Sequence, residues 1–282
     1  MSQTIIDLLK NGEKANYSDE FRSGNLVNLP ANGSLIIAGD IHGHRRNFER
    51  IVSFADLKNN PQRHVMLQEV IHGGPEDGKG GCLSYQLLFK VIQYKLKYPH
   101  RVHFIMGNHA LAFVSDTDIM KDGKEMNRAM SYAMEREFKD DYDNVKQAMK
   151  HFFYSLPLAV RCENRIWASH SLPSDNLIDK FDRKIMNRQL KISDFEKCGP
   201  AYILTWGRRH SQALYNRMAK FFDVDIFVLG HQPQEKGSCQ AGKNTIILAS
   251  DHDHGCLLEI DLTKSYTIDE LIGSILPLAS IA

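Results

Sequence analysis

The chain has 282 residues, 43% apolar and 24% charged, and its 35 basic and 34 acidic residues leave a formal charge of +1. This is the balance of a soluble globular protein with ample material for a core, and it excludes both a disordered chain and the broad basic footprint of general nucleic-acid binding. In chain order, the opening MSQTIIDLLKNGEK has too short an apolar run and no basic start for a signal peptide. No later segment reaches the roughly 18–20 apolar residues of a membrane span, so no membrane association is expected. Short apolar runs followed by polar residues predict strands at 34–38 (SLIIA), 63–67 (RHVML), 102–106 (VHFIM) and 165–168 (RIWA). Helical patterns at 46–55 and 83–98 lie between the first three, as in a sheet with crossover helices. From 125 to 154 the period becomes helical, with Met126, Met130, Met134 and Phe138, then Val145, Met149 and Phe152 on one face. The run Asp140-Asp141-Tyr142-Asp143 divides it into two helices.

The second half predicts a helix at 211–222, strands at 226–229, 245–249 and 256–260, and a terminal helix capped by Thr267 with Glu270 three residues on. No repeat or low-complexity linker interrupts the chain. The expected architecture is a single α/β domain over 1–282, with a catalytic core at about 34–260 and a helical insertion at about 122–155. Five scattered cysteines, never spaced C-x-x-C, fit a reducing cytoplasm.

Each of the first four strands runs into a residue able to bind metal, and in open α/β sheets ligands gather beyond the carboxyl ends of strands. Gly39-Asp40-Ile41-His42-Gly43 places a carboxylate and an imidazole two residues apart, on the same side of an extended segment, where both reach one ion. Gly107-Asn108-His109 projects an amide oxygen and a second imidazole from what reads as a tight turn. Ser169-His170 and Gly230-His231 each set a histidine just after an apolar run. Oxygen and imidazole donors suit manganese, iron or zinc.

Taken in order, GDIHG, GNH, a histidine after a strand and LGHQP resemble the calcineurin-like metallophosphoesterases. The resemblance is closest to the phosphoprotein phosphatase branch, which includes serine/threonine phosphatases and diadenosine tetraphosphatases. The segments FFYSLPLA (152–159) and LTWGR (204–208) extend the likeness over about residues 34–260. It implies a layered fold of β-sheets flanked by helices and two divalent metal ions, manganese, iron or zinc. It also implies that Asp40 and His42 hold the first ion and Asn108, His170 and His231 the second. Glu69 stands at the position of the bridging aspartate, His109 at the catalytic general acid, and Arg208 near the arginine that clamps the substrate phosphate.

The second family motif departs from its usual G-D-x-x-D-R-G. The chain reads Gln68-Glu69-Val70-Ile71-His72-Gly73-Gly74, with His72 for the aspartate that orients the catalytic histidine, Gly73 for a phosphate-binding arginine, and Ala110 for the glutamate after Asn-His. His72 reads as a hydrogen-bond acceptor for His109, an extra metal ligand or an exposed loop residue. Asp251-His252-Asp253-His254 is a further candidate cluster, and 73–81 reads as a rim loop. The resemblance implies hydrolysis of phosphate esters by a metal-bridging hydroxide. The expected substrates are a small phosphate ester, a nucleotide polyphosphate or a phosphoprotein. A serine/threonine protein phosphatase and a catalytically weak metal-binding pseudophosphatase are the alternatives.

Overall fold

The computed structural model describes residues 2–121 and 123–281. Residue 122, the first of the expected insertion, lies outside the described residues. A five-stranded sheet runs in the order Ile275–Pro277, Cys256–Asp261, Ser34–Asp40, Arg63–Gln68, Val102–Phe104, and its last three strands are parallel. A seven-stranded sheet runs Arg22–Ser23, Leu26–Leu29, Ala159–Cys162, Ile166–Ser169, Ile226–Leu229, Thr245–Leu248, Ser238–Gln240.

Strand residues alternate between two cores, because successive side chains leave opposite faces of a sheet. Leu35, Ile37, Met66, Ala168, Val228 and Leu248 pack together in a core shared by the two sheets. Ile36, Ala38, Val65, Leu67, Trp167 and Leu229 belong instead to the larger core with the helices. Strands buried on both faces read as unbroken apolar runs, which is why SLIIA and IFVL were recognisable. The two sheets meet at one end, where Asp40 pairs in parallel with Ala249 and the Ser250 N–H donates to the Asp40 carbonyl (2.9 Å). That seam lies at the carboxyl ends of the parallel strands and sets the floor of the site.

The 125–154 pattern forms helices Met126–Phe138 and Tyr142–Tyr154, separated by a 3₁₀ turn at Lys139–Asp141. Its methionine stripe is core, with Met130 and Met134 fully buried. A helix not anticipated from sequence, Ser2–Tyr17, packs on Tyr85–Lys97 and Tyr142–Tyr154, so the segment expected as an insertion shares a helical layer with it. The terminal helix Ile268–Gly273 has its capping box, with Thr267 and Glu270 exchanging bonds.

Behind the first helix, Asp19 anchors a buried polar chain. Its carboxylate accepts from Lys95 Nζ and from His103 Nδ1, both at 3.0 Å, and His103 Nε2 meets His64 Nδ1 at 3.0 Å. Burial pushes Asp19 upward, but His103 and Lys95 outweigh it and hold the carboxyl below its usual range. Burial and the adjoining His103 push His64 down to about 3. A histidine held neutral contributes stability that is present above its unfolded value and is lost as pH falls toward the folded one; a depressed aspartate acts in the same direction at lower pH. Unfolding free energy is therefore expected to fall by on the order of 2–3 kcal/mol between about pH 6.5 and pH 4 through His64 alone. Urea unfolding across that range checks this, and His64→Phe should flatten the profile; an identical slope in the variant would contradict the assignment.

Candidate metal centre

Every sequence-predicted ligand comes to the seam. Asp40 ends its strand and His42 follows it; Glu69 comes directly after Arg63–Gln68, and His170 directly after Ile166–Ser169. His231 lies two residues beyond Ile226–Leu229, across Gly230, whose position leaves no room for a side chain: a Cβ there would stand 2.3 Å from Asp40 Oδ1. Asn108 and His109 differ from the expected tight turn. They form the first turn of the helix Asn108–Val114, with Gly107 as N-cap. A Cβ on Gly107 would overlap the Glu69 carboxylate, so the chain can start this helix here only with glycine.

Backbone strain concentrates at the site. Of the ten non-glycine residues with positive φ among the described residues, four are His42 (42°), Glu69 (41°), His72 (66°) and His231 (67°). Such conformations cost about 1–3 kcal/mol each and persist where function requires them. Where the two motifs leave their parallel strands, the Ile41 and His42 N–H groups both donate to the Glu69 carbonyl, which holds the first two.

On one side of the floor, three electron-pair donors converge. Asn108 Oδ1 lies 2.8 Å from His170 Nε2 and 3.0 Å from His231 Nδ1, and the two histidine nitrogens are 3.1 Å apart. Gln68 Oε1 receives His170 Nδ1–H at 3.0 Å, which directs the lone pair of Nε2 to the convergence point. No local pattern signals this contact in the sequence, where Gln68 reads only as the residue before Glu69. Three acceptors facing one another in a buried site are the chemistry of a cation site, and N and O donors fit a divalent transition ion.

On the other side lie Asp40, His42 and Glu69. His42 Nδ1 meets the Ile71 carbonyl at 2.9 Å, which leaves Nε2, 3.6 Å from Asp40 Oδ2, available to an ion. Burial raises the Asp40 carboxyl, yet His170, His42 and the His231 N–H hold it well below the carboxylate range. Burial pushes Glu69 up to about 7; its carboxylate accepts from the N–H groups of His109 (3.2 and 3.3 Å) and Ala110 at the helix start. Among the described residues, ligating atoms of His42, Glu69 and His109 lie within 4.8 Å of one another.

His72 is fully buried, which overturns its reading as an exposed loop residue. Its Nδ1 lies 2.8 Å from His109 Nδ1, while its Nε2 has no hydrogen-bond partner among the described residues. Burial lowers His109 well below its ordinary value, and neighbouring His42 and His72 act the same way. His252 does not face the centre: Nε2 bonds the Gln234 carbonyl (2.8 Å) and Nδ1 accepts from the His254 N–H (3.2 Å).

Above the floor opens a cleft of about 480 Å³, lined by Asp40, His42, Asn108, His109, Arg208 and His231 among others. Of the further lining residues, Asp251 belongs to the 251–254 cluster singled out in the sequence, whereas Lys121 carries no signal there. The 73–81 loop, expected as a rim, contributes none of the described residues that line the cleft, and it is tied down by ion pairs of Asp77 with Arg136 and Glu76 with Lys124.

Comparison with known proteins agrees with this geometry. The family model for calcineurin-like phosphoesterases matches residues 33–235. The chain belongs to the calcineurin-like phosphoesterase family. Membership places it among hydrolases of phosphate esters, whose chemistry depends on divalent metal ions. Curated relatives include the serine/threonine-protein phosphatase 4 catalytic subunit of Kluyveromyces lactis, 22% identical over 260 residues (84% of this chain, 78% of that protein). A probable serine/threonine-protein phosphatase of Encephalitozoon cuniculi is 23% identical over 171 residues, 60% of this chain but only 32% of that protein. A Caenorhabditis elegans serine/threonine-protein phosphatase is 21% identical, over 77% of this chain and 47% of that protein. The chain thus spans less than half the length of two of these three relatives. Among solved structures, a Saccharomyces cerevisiae protein serine/threonine phosphatase with similarity to human PP5 superposes with a TM-score of 0.67 at 13% identity, covering 92% of this chain and 82% of its own. A cold-active protein-tyrosine phosphatase of a psychrophilic Shewanella gives 0.54 at 14% identity, covering 84% and 77%. These superpositions agree with the expected layered α/β fold. No helix among the described residues is long and apolar enough to cross a membrane.

Proposed function

We propose that the chain, acting as a single domain, hydrolyses phosphomonoesters with two divalent ions. Asp40, His42 and Glu69 would hold one ion, and Asn108, His170 and His231 the other, with Glu69 shared. The observation that carries this reading is the convergence of Asn108 Oδ1, His170 Nε2 and His231 Nδ1 beside the Asp40–His42 pair. When bound, a pair of divalent ions activates water and neutralises charge on the phosphoryl oxygens. The chain's own residues do the rest. Arg208, on the cleft wall, presents a planar fork to two phosphoryl oxygens. His109 delivers the proton to the departing oxygen, its ring fixed by His72 across the 2.8 Å contact between their Nδ1 atoms.

Phosphoserine and phosphothreonine in proteins are a second substrate reading, favoured by the three curated relatives named as serine/threonine phosphatases. The test is a screen of protein reconstituted with manganese, iron or zinc against an aryl phosphate, phosphopeptides, diadenosine tetraphosphate and a cyclic nucleotide. Turnover of the aryl phosphate and of phosphopeptides is expected. Metal binding without hydrolysis of any of them would leave the pseudophosphatase reading instead.

A further inference from the structure

We infer that Lys121 is a substrate-phosphate-binding residue, supplied to the cleft by the hairpin Met120–Lys121/Lys124–Glu125 and held by Asp251 until a phosphomonoester dianion displaces that carboxylate. The inference rests on the phosphoesterase reading and adds a specificity-determining residue to it.

Four observations carry it. First, Lys121 lines the cleft together with Arg208, His42 and His109, and its Nζ stands near Asp251, a further lining residue. Second, its partner is weak: Lys121 Nζ stands 3.9 Å from Asp251 Oδ2, on another wall of the same cleft, and both side chains remain part-exposed. A partly solvated pair at that distance contributes about 0–1 kcal/mol, so a doubly charged phosphoryl group competes with it easily. Third, the hairpin is built rather than loose. The Asp118 carboxylate accepts from the N–H groups of Ile119 (2.8 Å), Asn127 (2.9 Å) and Arg128 (3.2 Å), and the Met126 N–H donates to the Ile119 carbonyl at 3.0 Å. Lys124 on the second strand of the hairpin pairs with Glu76 of the 73–81 loop. These bonds fix the strand that carries Lys121. Fourth, the second motif has Gly73 where a cationic side chain would otherwise enter, and a Cβ at Gly73 would stand 2.3 Å from the His42 carbonyl, so no side chain fits there. Lys121 brings a positive charge to the cleft from a different element.

A point charge on a flexible stem reads charge rather than geometry. Lys121 should therefore favour phosphomonoester dianions over diester monoanions. Asp251 should oppose both, repelling the anion directly and holding Lys121 away from it.

The experiment measures inorganic phosphate binding by calorimetry to the manganese-loaded protein for wild type, Lys121→Met, Asp251→Asn and the double variant, with kcat/KM for an aryl phosphomonoester and the matching diester alongside. Lys121→Met is expected to weaken phosphate binding about tenfold, the scale of one charge-assisted hydrogen bond. It should also lower monoester kcat/KM by more than diester kcat/KM. Asp251→Asn is expected to tighten phosphate binding, with a smaller gain when Lys121 is already Met, because part of the effect is release of the lysine. Lys121→Arg should retain most of the binding. Unchanged phosphate affinity in Lys121→Met, or an Asp251→Asn gain of equal size in both backgrounds, overturns the role of Lys121 while leaving the phosphoesterase reading intact. A wild-type protein that binds no phosphate and turns over neither ester overturns both.

Discussion

His170→Ala is expected to lower kcat/KM for phosphomonoesters by about a thousandfold or more, since losing an ion forfeits several kcal/mol of transition-state charge stabilisation at ~1.4 kcal/mol per factor of ten. The size of the effect follows from the place of His170. Its Nε2 joins Asn108 and His231 in the converging triad, and its Nδ1 lies 3.5 Å from Asp40 and 3.0 Å from Gln68. Removal opens the donor set and uncovers a buried carboxylate at once. Gln68→Ala gives the graded comparison. Gln68 bonds the Ala38 carbonyl on one side and orients His170 on the other without itself being an expected ligand, so its loss should weaken metal affinity about 10–100-fold and be rescued by excess metal. Metal analysis beside kinetics separates the two cases. Full metal content with full turnover in His170→Ala would remove it from the centre.

His109→Asn is expected to keep both ions and lose about 10²–10⁴-fold on alkyl phosphates such as phosphoserine, while losing far less on a nitrophenyl phosphate. An alkoxide leaves poorly without a proton, whereas a nitrophenolate leaves as the anion. The position of His109 allows a competing role, because its ring comes within 4.8 Å of the ligating atoms of His42 and Glu69. The substrate comparison distinguishes the two: a metal ligand would cost metal content and hurt both substrates alike. Equal losses on alkyl and aryl substrates would contradict the general-acid assignment.

Much of this site was legible in the sequence because its residues follow strands buried on both faces. SLIIA, RHVML and IFVL carry enough apolar, β-branched character to be placed, and their ends deliver Asp40, Glu69 and, past a glycine, His231. Other features depend on tertiary geometry that no local pattern encodes. Asn108 and His109 read as a turn because Gly107 precedes them, yet the Glu69 carboxylate reaches the exposed N–H groups and a helix starts there. Gln68 acquires its role only when two sheets meet and bring His170 within 3.0 Å across 102 residues. The helix Ser2–Tyr17 was passed over because its polar residues break the apolar run, although Leu9 is fully buried against the main core. Of the three readings of His72, burial removes the exposed-loop one, and the 2.8 Å contact with His109 Nδ1 fits the hydrogen-bonded one.

The central claim is that two ions share this set of ligands. It is tested most directly by titrating manganese into chelator-stripped protein while following bound metal and aryl phosphate turnover together. Two bound equivalents per chain are expected, with most of the activity appearing as the second ion binds. Full activity at one equivalent, with no second binding event, would contradict it.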